Sequence, residues 1–60
     1  MRRYNKNDKI VVVKEGDRNY DKEGLIIDVR DLIHCPVTIY RIAFADGTKR
    51  DYFWADIKHI

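Results

Sequence analysis

The chain is poor in the residues that staple or punctuate a small domain. Of its 60 residues, one is cysteine, one proline and three glycine. A lone Cys35 excludes an internal disulfide, and together with His34 and His59 it falls short of the four ligands of a structural zinc site. No apolar run approaches the roughly 18 residues of a membrane span. Arg2 and Arg3 are followed by no apolar stretch, so the N-terminus does not read as a secretory signal. A single free cysteine fits a reducing compartment, and the expected location is cytoplasmic. Charge of one sign is also scarce. The net charge is +2 with 37% charged residues, a mixed surface rather than a strongly basic one. The excess sits at the start, where Arg2, Arg3, Lys6 and Lys9 face Asp8 alone. Any nucleic-acid reading therefore rests on local clusters and not on bulk charge.

What is present is core material, 45% hydrophobic with Ile and Val prominent. A chain this short makes one domain and buries only about 60% of the surface its unfolded form exposes, so the core must be regular. Turn-forming residues recur at Asn5 to Asp8, Gly16 to Asn19, Pro36 and Asp46-Gly47, with short β-branched and aromatic runs between them. That spacing predicts a β sandwich or barrel.

Lys9 to Lys14 carries four β-branched residues in a row and reads as a strand. Glu15 to Tyr20 is a polar loop. Glu23 to Arg30 is the second strand, and Gly24 at its start suits a bulge or a close backbone approach. Asp31 to Pro36 is a connection. Val37 to Phe44 is the third strand, with Tyr40, Ile42 and Phe44 on one face and Ile39, Arg41 and Ala43 on the other. Asp46-Gly47 is a hairpin turn in which glycine accepts positive φ. Lys49 to Phe53 is the fourth strand. Trp54 to Ile57 has the spacing of a single 3₁₀ turn, and Lys58 to Ile60 closes the sheet. The expected fold is all-β, a five-stranded SH3-like barrel with a short 3₁₀ turn before the last strand, whose closure would remove sticky edges. Residues 1–8 are expected to form a basic N-terminal arm and residues 9–60 the barrel.

Asn7-Asp8-Lys9-Ile10-Val11-Val12-Val13, a loop with Gly16 and Asp17, and Asp21-Lys22-Glu23-Gly24-Leu25-Ile26-Ile27-Asp28-Val29 together resemble the KOW motif. That motif joins an opening strand to a second strand through a basic-x-Gly-x-hydrophobic turn. It occurs in ribosomal proteins and transcription elongation factors. Phe44-Ala45-Asp46-Gly47-Thr48 through Tyr52-Phe53-Trp54-Ala55-Asp56-Ile57 resembles the tail of Tudor-like domains. Between them the two likenesses span nearly the whole chain. They imply a small barrel that binds RNA, duplex DNA, RNA polymerase or another protein, and the fold alone does not choose. Many KOW loops are rich in basic residues, whereas Glu15-Gly16-Asp17-Arg18 interleaves acid and base.

Two sets of residues are candidates for function. Tyr40, Phe44 and Phe53 are assigned to the core, which leaves Tyr52 and Trp54 outside. With Tyr20 in the first loop they would form an aromatic platform for a protein partner. The favoured expectation is thus a non-catalytic protein-interaction module in an accessory or regulatory role. The alternative is nucleic-acid binding, with Arg2, Arg3, Lys6, Lys9, Lys22, Lys49 and Arg50 on phosphates. A monomer is expected, with homodimerisation through Val11 and Val13 as a further alternative. No catalytic residue, metal or cofactor is assigned. Asp17, Asp21, Glu23, Asp28 and Asp31 read as a solvated rim, because a barrel this small has no cleft to perturb a carboxylate pair. His34 and Cys35 point to opposite sides of an extended segment and cannot act on each other.

Overall fold

The computed structural model describes residues 4–60. The fold is all-β. Strands β1 (Lys9–Val12), β2 (Glu23–Asp31), β3 (Thr38–Phe44), β4 (Lys49–Phe53) and β5 (Ile57–His59) form one antiparallel sheet, and a 3₁₀ turn (Trp54–Asp56) joins the last two. The strand order is β4-β3-β2-β1-β5, so the expected strands are present and β4 and β5 are the two edges. β1 ends at Val12, short of the expected Lys14; the Val13 N–H still donates in register to the Asp56 carbonyl at 2.9 Å, where the partner strand gives way to the 3₁₀ turn.

The β3–β4 hairpin sets which residues of β4 face inward. The Gly47 N–H donates to the Phe44 carbonyl (3.0 Å) and the Phe44 N–H to the Thr48 carbonyl (2.9 Å), with Gly47 at φ 88°. This is a three-residue loop closed by a glycine bulge rather than a two-residue Asp-Gly turn. Asp46 accepts from the Thr48 N–H (3.0 Å) and hydroxyl (2.6 Å), which holds the loop in shape. The extra residue matters because a one-residue slip turns every side chain of a strand to the other face. A two-residue turn would bring Phe53 opposite Tyr40. The observed register places Tyr52 opposite Tyr40 and Phe53 opposite Ile39. Tyr52 is therefore buried (3% exposed) and Phe53 is at the surface (51%), the reverse of the sequence expectation. Trp54, at 48%, is also at the surface.

β2 carries a second irregularity. Its register against β3 shifts between Ile26 and Asp28, leaving Ile27 as the extra residue. Without this bulge, Asp28 would share the inner face with Ile26. With it, Asp28 pairs with Arg41 on the outer face and Val29 turns inward beside Tyr40. Gly24 answers to a close approach instead. A Cβ there would collide with the Ile42 side chain and lie 3.2 Å from both the Ala43 carbonyl oxygen and the Phe44 ring.

The core consists of Ile10, Val12, Ile26, Tyr40, Ile42, Phe44, Tyr52 and Ile57, with Tyr4 and Val29 packed against it. The expected inner face of β3 is the observed one. Tyr40 is fully buried, and its hydroxyl accepts from the Tyr4 N–H at 3.3 Å, while the Tyr4 hydroxyl donates to the Ile57 carbonyl at 3.2 Å. The Asn7 N–H reaches the Ile26 carbonyl (2.7 Å), and the Ile26 N–H reaches Asp8 (3.0 Å). Residues 4–8 are thus tied to the sheet, and Arg2 and Arg3 lie outside the described residues. β1 lies between β2 and β5, with Val11 opposite both Glu23 and Lys58, so the strand offers no open backbone edge for pairing with a second copy through Val11 and Val13. Among the described residues no helix is long and apolar enough to cross a membrane.

The Gly24 packing gives a direct test. Gly24→Ala forces a methyl into Ile42 and should lower stability by about 1–3 kcal/mol, the usual cost of overpacking. In urea denaturation the midpoint should fall with the slope unchanged. An unchanged midpoint would show that the β2–β3 approach is looser than described.

Candidate functional site

The loop of residues 13–22 between β1 and β2 is built from overlapping tight turns. The Asp17 N–H donates to Lys14 (3.3 Å), the Tyr20 N–H to Asp17 (3.0 Å) and the Lys22 N–H to Asn19 (3.0 Å). Gly16 and Asp21 supply the positive φ angles, 80° and 66°. The loop returns to β1 through the Asp21 N–H on the Val12 carbonyl (2.8 Å) and the Val12 N–H on Lys22 (3.0 Å).

Three side chains fasten this loop to β4. The Tyr52 hydroxyl donates to Asp17 Oδ2 at 2.7 Å, and Asn19 Nδ2 donates to the Tyr52 hydroxyl at 3.0 Å. Asp17 Oδ2 also accepts the Asn19 N–H at 3.0 Å, a local Asx turn. Asn19 is the buried polar residue of the described chain, and its amide is satisfied here. The Tyr52 hydroxyl holds the Asp17 carboxyl below its ordinary range, helped by the Asn19 N–H and by the charges of Arg50 and Lys14, while partial desolvation opposes the shift. Burial raises the Tyr52 phenol, and the hydrogen bond and charge of Asp17 add to that rise. Tyr52 is thus an anchor for the loop and not part of a surface platform. Tyr20 does sit at the surface, 53% exposed.

Fastened this way, the loop and the β3–β4 hairpin bound a cleft of about 500 Å³ lined by Arg18, Asn19, Lys22, Asp46, Thr48, Lys49 and Arg50. Arg50 pairs with Ile42 and lies two residues before Tyr52, so it projects on the inner side of β4 at the end where the sheet opens. Arg18 and Lys22 come from the loop. Among the described residues, none of the cleft's four cations is held in an ion pair by a carboxylate. Asp46 is turned toward Thr48, whose hydroxyl, more than its N–H, holds the carboxyl below its usual value.

The cations expected from sequence to act together are thereby divided. Lys22 and Arg50 meet in the cleft, and Lys49 borders it from the outer face of β4. Lys9 lies three strands away in the outer-face row Lys9, Leu25, Ala43, Lys49, about 14 Å from Lys49 at ordinary strand spacing. Lys6 is exposed in the turn before β1. Arg18 was not among the expected contacts, and neither Asp17 nor Asn19 was seen as an anchor. The local signal for both was present as Asp17-x-Asn19, a pair that readily forms an Asx turn. The outer face carries a different pattern, with Arg41 bonded to Asp51 at 2.9 Å and Arg30 3.8 Å from Asp28. His34 and Cys35 are exposed in the β2–β3 connection, and no group of three described His, Cys, Asp or Glu residues is placed to hold a metal ion.

The lowered Asp17 carboxyl makes the anchor pH-dependent. A carboxylate depressed on folding adds stability above its ordinary pKa near 3.8 and loses it as pH falls through the lower folded value. Asp17→Asn should melt below the parent protein at pH 7, and the gap should close below about pH 4. Paired melting curves across that range provide the check; a gap undiminished at about pH 2 would mean that ionised Asp17 is not what the anchor uses.

No protein-family model matches the chain, and neither a curated protein nor a solved structure matches it.

Proposed function

We propose that this chain is a non-catalytic binding module of SH3-like barrel type that grips the phosphodiester backbone of a nucleic acid in the cleft between its first loop and its β3–β4 hairpin. The barrel assignment is supported by the strand order and by the 3₁₀ turn that links the two edge strands, with the Val13 N–H on the Asp56 carbonyl drawing the linker against β1. The observation that carries the functional reading is the convergence of Arg18, Lys22 and Arg50 from two separate segments on one cleft, with Lys49 bordering it from the outer face of β4. Four cations set against the single carboxylate of Asp46 repel one another and raise the local positive potential. A polyanion relieves that repulsion and releases its own counterions on binding. Net charge is a poor guide here because the charges are unevenly placed: the lining of the cleft holds four cations and one carboxylate, Asp46, while Asp51 is paired with Arg41 on the outer face.

A second reading, protein recognition, is favoured by one feature. Phe53 and Trp54 are adjacent and exposed at the far end of β4, about 13 Å along the strand from Lys49. This pair replaces the platform expected from Tyr52 and Trp54.

Fluorescence anisotropy with labelled oligonucleotides separates the two. If four phosphates are contacted, affinity should fall roughly 50-fold between 50 and 200 mM salt. Charge reversal by Lys49→Glu with Arg50→Glu should weaken binding at least about tenfold, with little change in melting temperature, since both residues are exposed. Trp54→Ala should leave oligonucleotide affinity unchanged. Binding that depends on Trp54 and ignores the charge reversal would move the site to the aromatic pair.

A further inference from the structure

The shape of the cleft bears on which form of nucleic acid enters it. We infer, resting on the reading just given, that the cleft takes a single strand rather than a duplex, with the Tyr20 ring available to stack on a base. The first reason is size. A cleft of about 500 Å³ falls in the range that encloses one small molecule, so it can hold a nucleotide or two but not the flank of a double helix.

The second reason is the lack of a probe for a groove. Reading the base edges of a duplex requires an element such as a helix or a two-stranded ribbon that enters a groove, which leaves only phosphate contacts to a site without one. Among the described residues the helical segment is three residues long. The ribbon beside the cations is the β3–β4 hairpin, and it presents Asp46 at its tip. A carboxylate leading into a duplex groove meets two rows of phosphates. The same carboxylate at the mouth of a cleft, turned back onto Thr48, leaves room for one chain to pass between Arg18 and Lys22 on the loop and Lys49 and Arg50 on the strand.

The third reason is the ring. Tyr20 is 53% exposed on the loop that Asp17 and Asn19 hold in place; it stands between Arg18 and Lys22 in sequence, and its ring is outside the lining of the cleft itself. An exposed aromatic on the loop that also carries two of the cleft's cations matches the way single strands are bound without sequence preference: the cations follow the backbone and a ring next to them takes a base, which a duplex keeps stacked and out of reach.

Three probes test this by anisotropy or competition: a ten-nucleotide oligo-dT, a duplex of the same length, and inorganic polyphosphate, which has the charge but no bases. Oligo-dT should bind at least about tenfold more tightly than the duplex, and Tyr20→Ala should weaken oligo-dT by about tenfold while leaving polyphosphate unchanged. The salt dependence should be the same in Tyr20→Ala as in the parent, because no phosphate contact is lost. Duplex binding equal to or tighter than oligo-dT overturns the single-strand inference and leaves the nucleic-acid reading standing. Equal binding of polyphosphate, with no effect of Tyr20→Ala, overturns it too and reduces the cleft to a general polyanion site. Failure of all three probes to bind removes the nucleic-acid reading itself.

Discussion

The pairing of Tyr40 with Tyr52 across the β3–β4 hairpin is the constraint on which the rest depends. It exists because Gly47 takes a positive φ and adds a residue to the turn. With that register, Tyr52 closes the core at one side of the sheet while its hydroxyl emerges at the level of the first loop. Asp17 and Asn19 meet the hydroxyl there, and a ten-residue segment rich in polar side chains acquires a fixed position. Shift the hairpin by one residue and Phe53 would fill the core as well or better, but it has no hydroxyl with which to hold the loop. The polar handle on a buried aromatic is what joins the folding of this chain to the shape of its surface.

The same register sorts the charges. Arg50 shares a face with Tyr52 and so stands beneath the loop, while Lys49 and Asp51 belong to the outer face, Lys49 at the border of the cleft and Asp51 on Arg41. Asp51 is paired with Arg41 on the outer face, while Asp17, bonded to Tyr52, stays ionised within reach of the charge of Arg50, so the cleft keeps an excess of positive charge and not an unopposed field. The Ile27 bulge performs a comparable sorting in β2 by lifting Asp28 out of the core face and turning Val29 into it. Both irregularities lie beside the places where strict alternation would have buried a charge or exposed an anchor, which is the usual reason a sheet tolerates them.

Strand existence and the inner face of β3 were legible because β-branched runs and alternation report on them directly. The Asp46-Gly47 turn was legible as a turn but not as to its length, and the faces of Tyr52 and Phe53 turned on that one residue. An alternating pattern cannot choose between an aromatic at one position and another beside it when both are large and apolar. The candidate site was half visible. Lys22, Lys49 and Arg50 were singled out for charge, but Lys6 and Lys9 with them, since sequence carries no measure of which strand lies next to which. Arg18 stands in Glu15-Gly16-Asp17-Arg18, where acid and base are interleaved and no cluster is legible, whereas in the fold Asp17 turns to Tyr52 and Arg18 lines the cleft. The close approach at Gly24 was foreseen, while the bulge falls at Ile27, where nothing in the residue type marks it.

The most direct measurement is the affinity of Tyr52→Phe for a single-stranded oligonucleotide, made under conditions where the variant stays folded. The ring is kept, so the core should survive. The loss of the hydroxyl strands the Asn19 amide, and stability should fall by about 1–3 kcal/mol. Tyr52 is buried and has no place in direct contact with a ligand. If its hydroxyl positions the loop that carries Arg18 and Lys22, affinity should nonetheless fall several-fold. An affinity equal to that of the parent, with sensitivity to Lys49 and Arg50 retained, would contradict the view that this anchor builds the cleft.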